Sequence, residues 1–156
     1  MDVFTVAFFG HRVVENIIEV EKSLEEYIEK IMLEKNYVEF LVGRNGEFDK
    51  LVASVINKKR KQLRDDNNSL TLILPFLTAE YLNNKENFEK YYGEIEVFES
   101  EKTIHFKAII RKRNEYMIKK SNLVVCYVNK NFGGAYEAIK YAQKCGKEIY
   151  KVWKSG

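Results

Sequence analysis

The 156-residue sequence has one proline, two cysteines and two histidines, and it has no apolar stretch of membrane-spanning length. With Pro75 alone, a proline-rich linker is excluded. Cys126 stands inside an apolar run and Cys145 beside a glycine, a usage that fits a reduced, cytoplasmic protein rather than a disulfide framework. His11 and His105 show no paired metal-ligand spacing with the cysteines, and no serine or cysteine stands in a nucleophile motif. Metal and covalent catalysis are therefore not expected, and no motif calls for a cofactor. The stretch from Val3 to Phe9 is too short for a signal-peptide core or a membrane span, so no membrane partner is expected.

What is present is the composition of a globular protein, 46% hydrophobic and 31% charged, at a length that suits one domain. A net charge of +3 among 26 basic and 23 acidic residues does not by itself call for a nucleic-acid partner. Oligomeric state is not written in such a sequence, and a homodimer stays open.

The periodicity alternates between two patterns. Val3 to Phe9 is a strand-like run ended by Gly10, and Leu24, Tyr27, Ile28, Ile31 and Met32 then recur at helical spacing. Val38 to Val42 reads as a second strand. The Asn45-Gly46 pair after it suggests a hairpin, but Phe48, Leu51, Val52, Val55 and Ile56 form a helix stripe, which makes the glycines part of a strand-to-helix loop. Further strands are expected at Leu70 to Leu74, Ile95 to Phe98, Leu123 to Val128 and Glu148 to Val152. Helices are expected from about Ile104 to Lys120 and from Ala135 to Lys144. The acid-rich stretch from Thr78 to Thr103 reads as a connection with a short helix and an exposed strand. Strands alternating with helices imply an α/β fold, a three-layer, Rossmann-like, doubly wound and mainly parallel sheet.

In such sheets ligands lie beyond the carboxyl ends of the strands, where the winding direction reverses. Three loops follow from that. Gly10-His11-Arg12 ends strand one and joins a close backbone approach to two basic side chains, although the further glycines of a dinucleotide fingerprint are missing after Gly10. Gly43-Arg44-Asn45-Gly46 leads to Asp49 in the first turn of a helix, where the carboxylate serves either as a cap or as a ligand contact. Asn129 opens the third loop, which runs through Lys130 and Phe132 to Gly133-Gly134, followed by Tyr136; such a loop offers backbone N–H groups and a helix dipole to a phosphate. On the helix before strand five, Arg113 falls near the stripe of Phe106, Ile109, Ile110 and Met117. It would snorkel to water, pair with a carboxylate or reach an anionic ligand, and the last is preferred. The basic run Lys58 to Arg64 is read as a solvated face before a nucleic-acid contact.

Taken together, Phe9-Gly10-His11-Arg12, Gly46-Glu47-Phe48-Asp49, Arg113-Asn114-Glu115-Tyr116-Met117 with Ser121-Asn122, and Gly133-Gly134 followed by Tyr141-Ala142 resemble the SLOG superfamily. That group unites the DNA-processing protein A domain with the LONELY GUY phosphoribohydrolases, and within it the chain looks most like the small, stand-alone bacterial members. The resemblance implies a pocket for a nucleotide or an ADP-ribose-like ligand, with Gly133-Gly134 as phosphate cradle and Arg113 as an anion contact. It covers nearly the whole chain but departs from the phosphoribohydrolase motif P-G-G-x-G-T-x-x-E: Phe132 replaces the proline, the G-x-G-T portion is missing, and with Gly134-Ala135 matched to G-T the glutamate position becomes Ala138. Glu137, one residue away, points about 100° round the helix. Three functions follow in order: binding or sensing of a nucleotide-derived small molecule, N-glycosidic hydrolysis with Glu137 as the catalytic group, and DNA association through Lys58 to Arg64 with Lys119 and Lys120.

Overall fold

A computed structural model describes residues 2–98 and 105–153. The elements run β1 (Phe4–Gly10), α1 (Ile17–Glu34), β2 (Val38–Val42), α2 (Glu47–Gln62), β3 (Asn68–Leu74), α3 (Ala79–Asn83), α4 (Lys85–Tyr92), β4 (Glu94–Val97), α5 (Phe106–Lys120), β5 (Leu123–Tyr127), α6 (Gly134–Lys144) and β6 (Glu148–Lys151). Six strands form one sheet in the order β4-β3-β2-β1-β5-β6, and every neighbouring pair is parallel. The fold is α/β and Rossmann-like, as its pattern of periodicity implies. The stretch after Thr78 holds two short helices rather than one, then an edge strand. Glu99, Glu101, Thr103 and the expected helix start at Ile104 lie outside the described residues.

Burial on both faces of the sheet explains the strand composition. In β1, Val6 and Phe8 join the core under α1 and α2, while Ala7 and Phe9 join the core under α5 and α6. A strand covered twice must be apolar at every position, which is why β1 and β5 read as continuous hydrophobic runs. The α1 stripe Val20, Leu24, Ile28, Ile31 and Met32 is buried against the first face. Ala138, Ile139 and Ala142 seal α6 on the second. Because β1 to β4 advance in one direction and β5 to β6 in the other, crossovers of one hand place their helices on opposite faces. The reversal falls between β1 and β5.

Two close approaches fix the loops at that point. A Cβ on Gly10 would stand 2.2 Å from Cγ of the fully buried Phe48, and one on Gly46 would stand 2.4 Å from the Arg12 backbone Cα. The Glu47 N–H donates to the Arg12 carbonyl at 2.8 Å, and the Glu47 carboxylate accepts from the Val14 N–H at 2.7 Å. The start of α2 and the loop after β1 are thereby one packed unit. Phe48 in turn stacks on Tyr127 at the end of β5, with ring centroids 6.1 Å apart.

Gly10→Ala is therefore expected to destabilise the protein by about 1–3 kcal/mol, the usual cost of overpacking a filled core. Thermal unfolding measures it; an unchanged melting temperature would show that Phe48 can move aside.

Candidate functional site at the strand switch point

The parallel register carries the ends of β1, β2 and β5 to the same edge of the sheet. Gly10 pairs with Tyr127, and the Ala7–Leu41 pairing brings the loop after Val42 alongside. A cleft of about 300 Å³ opens there, and its lining includes Gly10, His11, Arg12, Gly43, Asn45, Asp49, Arg113, Gly133 and Gly134. The glycine loops after strands one and five border this one cleft, as the switch-point rule requires.

Other called residues stand elsewhere, each for a local reason. Arg44 turns outward, where its Nε donates to Glu80 at 2.9 Å, its Nη1 to the Tyr92 hydroxyl at 2.8 Å, and its guanidinium lies 4.9 Å from the Phe88 ring centroid. Gly46 serves the close approach to Arg12 described above. Asn129 is turned toward Glu15 and the Tyr127 hydroxyl, with its Nδ2 3.3 and 3.2 Å from them. Tyr136 packs under the Lys140 ammonium, 5.4 Å from its ring centroid, outside the cleft lining. Glu137 is exposed and also outside the lining, and Ala138 is buried in the core beneath. No carboxylate from α6 reaches the place where the phosphoribohydrolase motif would put one.

Arg113 has structural partners of its own. It is 2% exposed; its Nη1 donates to the Ile73 carbonyl at 2.6 Å and its Nε to the Asn114 side-chain oxygen at 2.9 Å. Nη2 makes no hydrogen bond among the described residues, and the side chain forms part of the cleft floor. Asp49 is the neighbouring anion: a Cβ on Gly43 would lie 3.1 Å from both Arg113 Nη1 and Asp49 Oδ2. The glycine is what lets these two groups flank one backbone position. Burial pushes the Asp49 carboxyl up, opposed by the Asn45 N–H that it accepts at 2.8 Å and by Arg113. Burial also pushes the Arg113 guanidinium down to about 10, so it keeps its charge at neutral pH. Asp49 thus ties the loop before α2 to the helix and opposes the charge of Arg113 across the cleft floor.

Beyond that pair, the cations that line the cleft without a salt bridge among the described residues are exposed Arg12 and Lys130. The third loop is tied to the first by His11, whose Nε2 accepts the Lys130 backbone N–H at 3.3 Å and whose own N–H donates to the Tyr127 carbonyl at 3.3 Å. Such a bond requires the neutral ring. At the start of α6, Gly133 has φ +98°, a conformation that favours glycine, and no side chain caps the helix. Gly134 has no such backbone demand, and a Cβ there would meet no atom within 4 Å. Folding does not ask for a glycine at 134, whereas close approach of another molecule to the first N–H groups of α6 does. Val13, Asn114, Lys130 and Phe132 also line the cleft and were not called as site residues. Lys130 carries a signal in the sequence, a cation within the glycine loop.

The basic run on α2 is largely compensated within the molecule. Lys58 pairs with Glu25, Lys59 with Glu29 at 3.6 Å, and Arg64 with Asp66 at 2.8 Å. Lys120 faces Glu39 at 3.8 Å. Among the described residues no group of three or more metal-ligating side chains converges, and no helix is long and apolar enough to cross a membrane.

No protein-family model matches the chain, and no curated protein matches it in sequence. Solved structures do match in fold. DNA processing protein A from Streptococcus pneumoniae superimposes with a TM-score of 0.72 at 14% identity, over 98% of this chain and 51% of that one. DNA processing protein A from Helicobacter pylori, whose structure is described for its single-stranded DNA binding mode, gives 0.68 at 16% identity, over 95% of this chain and 64% of that one. The chain thus spans about half to two thirds of the length of these neighbours, and the likeness is one of fold.

Two outcomes follow from these contacts. Arg113→Ala removes the cation beside a buried carboxylate and the donor to the Ile73 carbonyl, and should cost on the order of 3 kcal/mol in denaturant unfolding. His11 titrates below its ordinary value near 6.5, because burial and then Lys130 disfavour its charged form, with Glu15 opposing. Its folded pKa being depressed, the unfolded chain binds the proton more readily. The His11 contribution is therefore complete above the unfolded pKa and is lost as pH falls from there through the folded one. An NMR titration midpoint for His11 at or above 6.5 would contradict the bond to Lys130.

Proposed function

We propose that the protein binds a phosphorylated, nucleotide-derived small molecule in the cleft between the ends of β1, β2 and β5. The observation that carries the proposal is the convergence on one cleft of an uncapped helix start with a spare glycine at 134 and an almost completely buried arginine whose Nη2 has no hydrogen-bond partner among the described residues. Backbone N–H groups at a helix start bind anions through aligned dipoles, and a guanidinium already desolvated by the fold does so without further cost of burial. Arg12 and Lys130 at the rim add long-range attraction.

The cleft suits binding better than hydrolysis. Glu137 stands outside the lining, and Asp49, the carboxylate that does line it, is committed to Asn45 and Arg113. A positioned general acid or base contributes roughly a hundredfold to ten-thousandfold in rate, and among the described residues no uncommitted carboxylate lines the cleft to supply it. The ligand is then a signal or a cargo rather than a substrate.

A second function, binding of single-stranded DNA, draws on the Helicobacter pylori neighbour and on the exposure of Arg12 and Lys130 beside an open cleft. It would use this edge of the sheet rather than Lys58 to Arg64, whose charges are largely paired.

Calorimetric titration with AMP, ADP-ribose and an oligothymidylate separates the two. Small-molecule binding predicts saturable AMP or ADP-ribose binding, whereas a DNA function predicts that only the oligonucleotide binds, with affinity falling steeply as salt rises. Gly134→Ala should leave thermal stability within about 0.5 kcal/mol, as for substitutions that touch nothing, while weakening nucleotide binding. Equal binding by parent and variant would remove the helix start from the site.

A further inference from the structure

The cleft has an apolar rim as well as an anion-binding floor. Of the large hydrophobic side chains among the described residues, four are more than 60% exposed, and two of these, Phe132 at 64% and Val13 at 62%, line this cleft. They sit on the loop after β5 and the loop after β1, the two loops that meet at the switch point. Neither Phe132 nor Val13 belongs to either hydrophobic core. Single exposed apolar residues need no explanation, but an aromatic ring next to two glycines that lines the same cleft as a second bare apolar side chain does. The Lys130 ammonium lies 6.0 Å from the Phe132 ring centroid, so the ring has a cation near its face and a glycine turn beside it.

We propose that Phe132, with Val13 on the facing loop, is the specificity-determining surface for the aromatic base of the ligand, so that the cleft selects a base-bearing ribose phosphate over the sugar phosphate alone. This rests on the binding function proposed above and adds which part of the ligand supplies the discrimination. A base stacks on an aromatic face through its π-surface without needing a donor and acceptor pattern. The preference is accordingly for the presence of a base, with weak discrimination among bases. Phosphate held at Gly133, Gly134 and Arg113 leaves the base to project toward the opening, where Phe132 lies. Arg12, on the loop after β1, adds charge that both ligands share, whereas Lys130 stands by the ring itself.

The test compares AMP, GMP and ribose 5-phosphate by calorimetry on the parent, Phe132→Ala and Phe132→Tyr. The expected result is that AMP and GMP bind the parent about tenfold or more tighter than ribose 5-phosphate. Phe132→Ala should lose that advantage while holding ribose 5-phosphate as before, and Phe132→Tyr should restore it. Because the ring is exposed, the melting temperature of all three proteins should agree. Phe132→Trp gives an independent readout, its fluorescence changing with AMP but not with ribose 5-phosphate, measured against the background of Trp153. Equal affinity of the parent for AMP and ribose 5-phosphate would overturn the role of Phe132 and leave the anion site standing. A loss of both ligands alike in Phe132→Ala would also overturn it, by placing the ring in the support of the phosphate loop. Binding of none of the three ligands would overturn this inference, and the cleft function would then stand or fall on ADP-ribose alone.

Discussion

The geometry of the candidate site depends on the missing side chain at Gly10. Phe48 occupies the space in which a Cβ at that position would lie, and from there it stacks against Tyr127 at the end of β5. One aromatic ring on α2 therefore touches the ends of two neighbouring strands, and the three loops that border the cleft take their positions from it. Burying such a ring contributes about 1.5–3 kcal/mol, a large share of the net stability of a domain, so the arrangement resists displacement. Gly46 repeats the device against the Arg12 backbone, which explains why a glycine that reads as a ligand contact is a packing residue instead.

Charge is distributed in two tiers. Inside, Arg113 and Asp49 compensate one another on either side of Gly43 and bind the C-terminal end of β3 to the start of α2. Outside, the salt bridges of α1 with α2 absorb Lys58 and Lys59, while Arg44 is taken up by Glu80 and Tyr92. The small net charge of +3 is thus not spread evenly. At the cleft, Arg12 and Lys130 are left exposed together with the helix start at Gly134. A buried arginine with two nitrogens bonded is both a structural support and a fixed donor, since the contacts that stabilise it also aim its remaining nitrogen.

The legible and illegible parts of the site differ in kind. Gly10, His11, Arg12, Gly133 and Gly134 could be named because they follow strands, and parallel sheets put ligand sites at strand ends. Asp49 could be named because it stands in the first turn of the helix after a glycine loop, and Arg113 because a charge on an apolar stripe calls for a partner, although the partner itself could not be. Arg44 and Asn129 were indistinguishable from these by position. Their exclusion came from Glu80, Tyr92, Glu15 and Tyr127, residues 36 or more positions away in most cases, whose proximity is set by packing. Phe132 and Val13 escaped because an isolated apolar residue in a loop carries no periodic signal.

The sequence by itself determined the alternation of strands and helices, the double covering of the central strands, and the edge at which the glycine loops would gather. These follow from local periodicity and from the handedness of crossovers, which any chain of this pattern obeys. Only the tertiary structure decided which side chains at that edge face the cleft, which glycines exist for packing, and which cations are already spent on internal carboxylates. Those outcomes depend on contacts between residues far apart in the chain, and a side chain one residue along a loop or a helix turns toward a different neighbour altogether.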